Sequence, residues 1–209
     1  MNPPARLHAL LGASRELAGR LLSESEIERL VCFYGLVLKW NPQLHLTTLT
    51  GPAEFLERHL VESAFLTQHI APTANEVWDF GSGLGIPGVP IAILRPDLHV
   101  TLVEANRRKA VFLEEVAARL NLGNVKVANV RLESLVPLPP TTSLTARAVD
   151  NMQGMLPHLL RLGKDATQIL LLGSAELAEP FLSAAQFSVE TCLLSGSDAR
   201  FLVIATRST

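Results

Sequence analysis

The sequence is poor in the residue types that metal and disulfide sites require. Its 209 residues include only two cysteines, Cys32 and Cys192, and six histidines that are scattered singly. Neither set has metal-ligand spacing, so we expect no metal site and two thiols in the core. Charged residues make up 18% and hydrophobic residues 48% of the chain, which is too apolar for a disordered protein. We therefore expect one cooperative folding unit.

Long hydrophobic runs are also missing. No run approaches the roughly 18 residues that a membrane span needs. The first segment, MNPPARLHALLGASRELAGR, lacks the long apolar stretch and cleavage site of a secretion signal. These two absences predict a cytoplasmic protein without membrane association.

An excess of positive charge is missing as well. The formal net charge is −2, which argues against a protein that binds nucleic acid over its whole surface, because Lys and Arg neutralising phosphates dominate such affinity. Basic residues do cluster locally, at Arg107, Arg108 and Lys109 and upstream at Arg58 and His59. A charge run of this kind is either a solvated helix face or a local nucleic-acid contact.

Residues 1–72 have helical patterning. In SESEIERLVCFYGLVLKWN, Ser23 and Glu26 have the spacing of a capping box. The apolar residues that follow recur at helical spacing: Ile27, Leu30, Val31, Tyr34 and Leu38. The polar string NPQLHLTTLTGP is predicted to end this helix, and Pro52 to begin another over 52–68. We interpret 1–72 as a helical region packed on the main domain.

Residues 73–209 have a different pattern, in which short apolar runs alternate with helical stretches. Alternation of this kind predicts an α/β fold, a parallel sheet covered by helices. The predicted strands are 76–80, 99–104, 125–129, 144–148, 168–173, 186–193 and 201–206. The predicted helices are 85–95, 106–121, 151–162 and 174–184. Only SGSDA separates the last two strands, which is too short for a parallel crossover, so they should form an antiparallel hairpin.

The first of these strands runs into an unusual turn, WDFGSGLGIPGVP, with four glycines and two prolines. Residues 81–85 match G-x-G-x-G at the strand end. Residues 83–88 match the G-x-G-x-x-G dinucleotide fingerprint, but begin two residues too late for it. We favour the first match, which places Asp79 just before the glycines and brings a nucleoside to the turn. A plain tight turn would not require the backbone entropy that four glycines cost.

The second strand adds an acidic residue about 20 positions further on. Glu104 lies at its end, where a carboxylate accepts hydrogen bonds from both hydroxyls of an adenosine ribose. NAD and S-adenosylmethionine both carry this diol, so Glu104 indicates a nucleoside without distinguishing them. Leu132 and Glu133 follow the third strand and are placed to frame an adenine, with an apolar wall and an acceptor for the amine.

Several segments together resemble one known family. WNPQLHLTT, RHLVES, DFGSGLGIPGVPIAILRPDLHVTLVEANRRKAVFL, VRLESL and TARAV are similar, in that order, to the bacterial ribosomal RNA small-subunit methyltransferase G family, also called glucose-inhibited division protein B. The similarity extends over about residues 25–175. It implies a class I S-adenosylmethionine-dependent methyltransferase with a Rossmann-like sheet. The implied reaction is methylation of N7 of a guanine in the 530 loop of 16S ribosomal RNA, expected at position 527.

The resemblance also assigns site residues. The expected cofactor-binding residues, from the turn and from the family together, are Asp79, Gly81, Gly83, Gly85, Ile86, Glu104, Leu132, Glu133 and Arg147. Candidate RNA contacts are Asn41, Arg58, His59, Arg107, Arg108 and Lys109. We expect Arg147 to contact the cofactor or an RNA phosphate, unless it only caps the sheet edge. No general base is expected, because guanine N7 carries a free lone pair and alignment of donor and acceptor should carry the rate.

The chain departs from the family pattern at four places. His45 replaces the second Asn of the tryptophan segment, and Glu62 replaces an Asp. Leu172 stands where a Lys commonly precedes Gly173, and ARFLVIA replaces a segment that usually holds a His. None of these changes falls on an expected cofactor-binding residue. The change at Leu172, however, removes a positive charge from the expected RNA contacts.

Three alternatives remain open at this point. An NAD-dependent oxidoreductase would use the same turn and Glu104, but the only tyrosine, Tyr34, lies in the helical region and offers no Tyr-x-x-x-Lys pair. A noncatalytic RNA-binding relative would explain the change at Leu172. A methyltransferase acting on a protein or a small molecule would fit the weak overall basicity. We expect S-adenosylmethionine as cofactor, the small ribosomal subunit as partner and a monomer.

Overall fold

A computed structural model describes residues 1–134, 138, 141–147, 152–164 and 166–208. The α-helices are α1 (Pro3–Ser14), α2 (Glu24–Leu44), α3 (Pro52–Phe55), α4 (Glu62–Gln68), α5 (Gly88–Leu94), α6 (Arg107–Arg119), α7 (Met152–Leu162) and α8 (Glu179–Leu182). A π-helix, Leu56–Val61, joins α3 to α4, and 3₁₀ turns lie at Leu132–Ser134 and Ala175–Ala178.

The strands form a short hairpin and one large sheet. They are β1 (Glu16–Leu17), β2 (Arg20–Leu21), β3 (Glu76–Phe80), β4 (His99–Val103), β5 (Val125–Ala128), β6 (Thr142–Arg147), β7 (Gln168–Gly173), β8 (Phe187–Leu193) and β9 (Phe201–Arg207). The seven-stranded sheet has the order β5-β4-β3-β6-β7-β9-β8. Five neighbouring strands, from β5 to β7, are parallel, and β9 is antiparallel to both β7 and β8.

The α/β prediction and its terminal hairpin are therefore confirmed. The predicted strands match the observed ones within two residues at the described ends, whereas residue 148, the predicted end of β6, lies outside the described residues. The β1–β2 hairpin was not predicted, because each strand has only two residues and no pattern can repeat.

Buried hydrophobic residues form a cluster on each face of the sheet. On one face α1, α2 and the 52–68 segment share a cluster with α5 and α6. On the other face α7 and α8 pack against β6 and β7. The N-terminal helices thus cover the sheet directly, and their buried faces include Leu30, Tyr34 and Phe55. The division into regions 1–72 and 73–209 stays a prediction.

Helix α2 continues further than the sequence pattern predicted. Its capping box is present, with the Ser23 side chain accepting from the Glu26 N–H and the Glu26 carboxylate accepting from the Ser23 N–H. The helix passes through Pro42 and ends at Leu44, so the predicted break after Trp40 is wrong. A proline in the last turn removes only one helical hydrogen bond, and the Trp40 Nε1–H donates to Glu115 on α6 at 3.0 Å, which holds this end in place.

The predicted helix over 52–68 is one continuous helical segment with an unpredicted π-helix in its middle. Pro52 occupies the first turn, and Phe55, Leu60 and Ala64 are buried as expected. The π-helix carries His59 on its buried side. Insertions of this kind are frequent at functional sites because they turn side chains away from the α-helical register.

Among the residues that the structure describes, no helix is both long and apolar enough to cross a membrane.

Candidate active site

A cavity of about 570 Å³ opens at the carboxyl ends of β3, β4 and β6. This is where open α/β sheets bind their ligands. One side is formed by the glycine turn (residues 81–86) and the end of β4. Another part of the lining is formed by residues 45–49, which follow α2, and by Arg58 and His59 of the π-helix.

The glycine turn has the backbone conformation that its sequence predicted. Gly81, Gly83 and Gly85 have φ values of 65°, 53° and 94°, in the region that favours glycine. The Ser82 hydroxyl donates to the Asp79 carbonyl at 2.7 Å and closes the turn. Gly81, Gly83 and Ile86 line the cavity. Gly85 does not line it, because it packs toward Val89 in the interior.

Asp79 lies beneath the turn and outside the cavity lining. Its carboxylate is fully buried, and one oxygen accepts from the Gly88 N–H at 3.2 Å. The other oxygen has no partner among the described residues. Burial and, to a smaller extent, the negative charge of the neighbouring Glu104 together raise the pKa of this carboxyl to about 7. Asp79 thus fixes the start of α5, and its role toward a cofactor stays a prediction.

Glu104 lines the cavity from the end of β4. One carboxylate oxygen accepts from the Gly83 N–H at 2.9 Å and the other from the Asn106 N–H at 2.7 Å. Each oxygen retains a second lone pair. The side chain therefore joins the glycine turn to the start of α6 and still has acceptor capacity for a diol.

The segment after β5 forms the remaining apolar part of the lining. Leu132 lines the cavity as predicted, together with Val130 and Arg131, which the sequence did not single out. The side chain of Glu133 lies outside the described residues, so its predicted contact with an adenine is untested.

Arg147, at the end of β6, is the centre of a buried polar network. Its Nη2 lies 3.0 Å from the Glu62 carboxylate and donates to the Arg58 carbonyl at 2.6 Å. Its Nη1 donates to His59 Nδ1 at 2.6 Å. Burial lowers the pKa of the guanidinium, while Glu62 raises it. Arg147 lines the cavity, but its described hydrogen bonds are to the protein.

His59 is neutral in this environment. Burial, and then the positive charge of Arg147, lowers its pKa to about 3. Its Nε2 lies 3.1 Å from the Thr47 hydroxyl oxygen. Because both ring nitrogens have protein partners, His59 positions other groups in the cavity wall.

Thr47 is a cavity residue that the sequence analysis did not single out. Asn41 holds its backbone from both sides: the Asn41 amide donates to the Thr47 carbonyl at 2.9 Å, and the Asn41 side-chain oxygen accepts from the Thr47 N–H at 2.9 Å. Asn41 itself does not line the cavity. Its predicted RNA contact stays a prediction, and the structure gives it a positioning role.

A second group that was missed is the Glu62 cluster, defined as Glu62, Arg58, Arg147 and Arg200. Glu62 is only 4% exposed and forms ion pairs with all three arginines, at 2.8 to 3.2 Å. The spacing of Arg58 and Glu62, four residues apart on a helix, was the one signal in the sequence. Arg147 and Arg200 come from distant positions that no local pattern connects.

The basic residues of α6 are divided by the fold. Lys109 lines the cavity, as do Arg58 and Arg131. Arg107 and Arg108 are exposed and lie outside the lining, and an Arg108 Nη donates to the Gln43 carbonyl at 3.3 Å. Only part of the basic run thus reaches the site.

The substituted family positions also have defined places. His45 caps α2 with a φ of 48° and lines the cavity. Leu172 is buried next to Arg147 in the β6–β7 register. Within the described ranges, no group of three or more His, Cys, Asp or Glu side chains could hold a metal ion. The expectation that both thiols lie in the core is wrong, because Cys32 is exposed on α2 and Cys192 is only half-buried on the edge strand β8.

Comparisons with known proteins agree with this geometry. The model of the rRNA small subunit methyltransferase G family matches residues 26–196. A ribosomal RNA small subunit methyltransferase G from Xanthomonas axonopodis pv. citri is 40% identical over 152 residues, 71% of each chain. A protein of the same name from Pseudomonas putida is 33% identical over 189 residues, which cover 90% of this chain and 87% of the relative.

Solved structures of methyltransferases share the fold. M. capricolum TrmK, in complex with its natural cofactor product S-adenosyl-homocysteine, has a TM-score of 0.56 and 9% identity. The match covers 71% of this chain and 68% of that one. The sheet order and terminal hairpin described above are therefore those of a class I methyltransferase.

Proposed function

Because the chain belongs to the rRNA small subunit methyltransferase G family, we propose that it methylates N7 of a guanine in the 530 loop of 16S ribosomal RNA. The observation that carries the proposal is one cavity with two unlike sides. A glycine turn and Glu104 form one part of its lining, and Thr47, His59 and Arg147 form a polar part of the same lining. Such a cavity has room for a nucleoside cofactor and an extruded base.

S-adenosylmethionine is the cofactor, and the residues of the glycine side fit it. A ligand can approach the backbone closely at Gly83, where an added Cβ would meet only the Gly81 carbonyl oxygen, at 3.5 Å. The free lone pairs of Glu104 suit the ribose hydroxyls, and Leu132 supplies an apolar surface for the adenine. When bound, the cofactor supplies an electrophilic methyl group on a sulfonium.

The reaction places few demands on the protein's acid–base groups. The N7 lone pair attacks without losing a proton, so the chain needs no general base. The state of His59 is consistent with the absence of a general base, because its ring is neutral and both ring nitrogens are hydrogen-bonded, to Arg147 and to Thr47. The protein's contribution is then to align the two reactants and to exclude water.

The basic residues of the cavity suit the phosphates that flank a target base. Arg58, Lys109 and Arg131 line the cavity. Phosphate contacts position an RNA without reading its sequence. This local arrangement accommodates RNA although the net charge of the chain is −2. A cytoplasmic monomer acting on the small subunit is part of the same proposal.

The test is methyl transfer itself. Purified protein would be incubated with methyl-labelled S-adenosylmethionine and small ribosomal subunits, or their naked RNA, from cells that lack the endogenous enzyme. N7-methylguanine would then be mapped by strand scission. We expect one labelled guanine, in the 530 loop. Labelling of protein or of another base, or no labelling despite cofactor binding, would overturn the proposal.

A further inference from the structure

The Thr47 hydroxyl has an unusual hydrogen-bonding state. Its oxygen accepts from the Leu49 N–H at 3.0 Å and lies 3.1 Å from His59 Nε2. A hydroxyl oxygen has two lone pairs and one proton. Whether the proton is free to reach a ligand therefore depends on which partner donates in the contact with His59.

Arg147 decides the direction of that contact. A guanidinium has no acceptor, so Arg147 Nη1 can only donate to His59 Nδ1 at 2.6 Å. His59 Nδ1 therefore carries no proton, and the proton of the neutral ring is on Nε2. It follows that His59 Nε2–H donates to the Thr47 oxygen. Both lone pairs of that oxygen are then occupied, and the hydroxyl can act only as a donor.

The backbone position of Thr47 is fixed as well. Asn41 holds the Thr47 backbone with two hydrogen bonds of 2.9 Å. The residue lines the same cavity as the glycine turn, and no described residue accepts its hydroxyl proton. A fixed group that can only donate is thus presented to whatever base enters the cavity.

We propose that the Thr47 hydroxyl donates to O6 of the target guanine and so selects guanine over adenine. The inference rests on the proposed N7 methylation. On the edge of guanine that carries N7, the neighbouring group is O6, an acceptor, whereas adenine has an N6 amine donor at the same place. A hydroxyl that can only donate forms a hydrogen bond with O6 of guanine, whereas it places a donor against the N6 amine of adenine. Glu62, Arg147, His59 and Asn41 are positioning residues that act through Thr47.

The experiment compares the wild-type enzyme and Thr47→Val on two RNA substrates, with two further variants as controls. Thr47→Val removes the hydroxyl with little change in shape, and an RNA with 2-aminopurine at the target position removes O6 but retains N7. Thr47→Ser keeps the hydroxyl and serves as the conservative control, and Thr50→Val makes the same change at an exposed residue outside the cavity lining. The measurements are kcat/KM for each pair and the affinity of each variant for S-adenosylmethionine.

We expect Thr47→Val to lower kcat/KM on the guanine RNA roughly tenfold, about what one hydrogen bond contributes. On the 2-aminopurine RNA the same variant should change kcat/KM less than about twofold, since there is no O6 to lose. Thr47→Ser should keep most of the preference for guanine. Thr50→Val should behave as the wild-type enzyme on both substrates.

Three results would overturn the inference. Equal losses on both substrates with normal cofactor affinity would mean that Thr47 only supports the wall. Equal losses with weakened cofactor binding would mean that the hydroxyl serves the cofactor. No loss on either substrate would remove any role for it. A wild-type enzyme that forms no N7-methylguanine would instead refute the proposed function, and this inference with it.

Discussion

The two sides of the cavity are built in different ways. The glycine wall, residues 81–86 with Glu104, is formed by backbone conformation within one strand–turn–helix unit and the next strand. The relay wall, Thr47, His59, Arg147 and Glu62, is formed by side chains from three separate parts of the chain. The glycine wall is therefore a local structure, whereas the relay wall exists only when the helical segment has packed on the sheet.

The largest effect should come from the relay wall at Glu62. Glu62→Gln removes the only carboxylate that contacts Arg58, Arg147 and Arg200 in the described structure. Arg147 is only 10% exposed there. Removing one partner of a buried ion pair typically costs about 3 to 5 kcal/mol. We expect a loss of about 3 kcal/mol in the free energy of unfolding, measured by urea denaturation.

Glu57→Gln is the matched control for this change. Glu57 lies in the π-helix that immediately precedes Glu62 but is exposed, and the substitution should alter stability by less than about 0.5 kcal/mol. If Glu62→Gln were as mild as Glu57→Gln, the Glu62 cluster would not hold the relay wall together.

This contrast explains what the sequence could predict. The glycine turn, Glu104 and the sheet could be predicted from local patterns, because residues that are close in sequence determine where the backbone can adopt positive φ and where strands form. The role of Thr47 depends on a contact between His59 and Arg147, which are 88 positions apart. No spacing rule relates such positions. The π-helix was missed for a similar reason, since packing rather than propensity selects it.

A second prediction separates two glycines of the glycine wall. At Gly85, φ is 94° and an added Cβ would lie 2.7 Å from Val89 Cγ2 and 3.2 Å from Leu113 Cδ2. Gly85→Ala should thus lose about 2 to 3 kcal/mol of folding stability. At Gly83 the space is open and φ is 53°, so Gly83→Ala should lose only about 1 kcal/mol.

The same pair should respond in the opposite order when cofactor binding is measured. Gly83 lines the cavity and Gly85 does not. We expect Gly83→Ala to weaken S-adenosylmethionine binding at least about tenfold in calorimetry, since one Cβ blocks close backbone approach. If Gly85→Ala were the weaker binder and the more stable protein, the assignment of the two glycines would be reversed.

A third prediction concerns Asp79 beneath the glycine wall. Its folded pKa of about 7 lies above the ordinary value of 3.8 for an aspartate, so folding takes up a proton at any pH between these values. Stability should consequently fall as the pH rises toward 7 and then stay level. From pH 5 to 8 the wild-type protein should lose on the order of 2 kcal/mol relative to Asp79→Asn.

The measurement for Asp79 must be this difference between two proteins. The pKa of His59 is lowered from its ordinary value of 6.5 to about 3, so His59 makes stability rise with pH between these two values, a slope of the opposite sign. The two slopes offset each other in the wild-type curve, whereas subtracting the Asp79→Asn curve removes the His59 contribution. A difference that stays constant from pH 5 to 8 would show that the Asp79 carboxyl is not perturbed.

The smallest expected effect tests how far the RNA surface extends beyond both walls. Lys109 lines the cavity, whereas Arg107, two residues earlier on α6, does not. We expect Lys109→Glu to weaken binding of small-subunit RNA at low salt about three- to tenfold, and to reduce the slope of log affinity against log salt by about 0.7 to 0.9, the share of one phosphate contact. Arg107→Glu should have the smaller effect, and Lys126→Glu, an equal change of charge at an exposed residue of β5 outside the lining, should set the background from net charge alone. If all three variants bound alike, the basic run of α6 would be a solvated helix face, and the phosphates would have to be held by Arg58 and Arg131 beside the cavity.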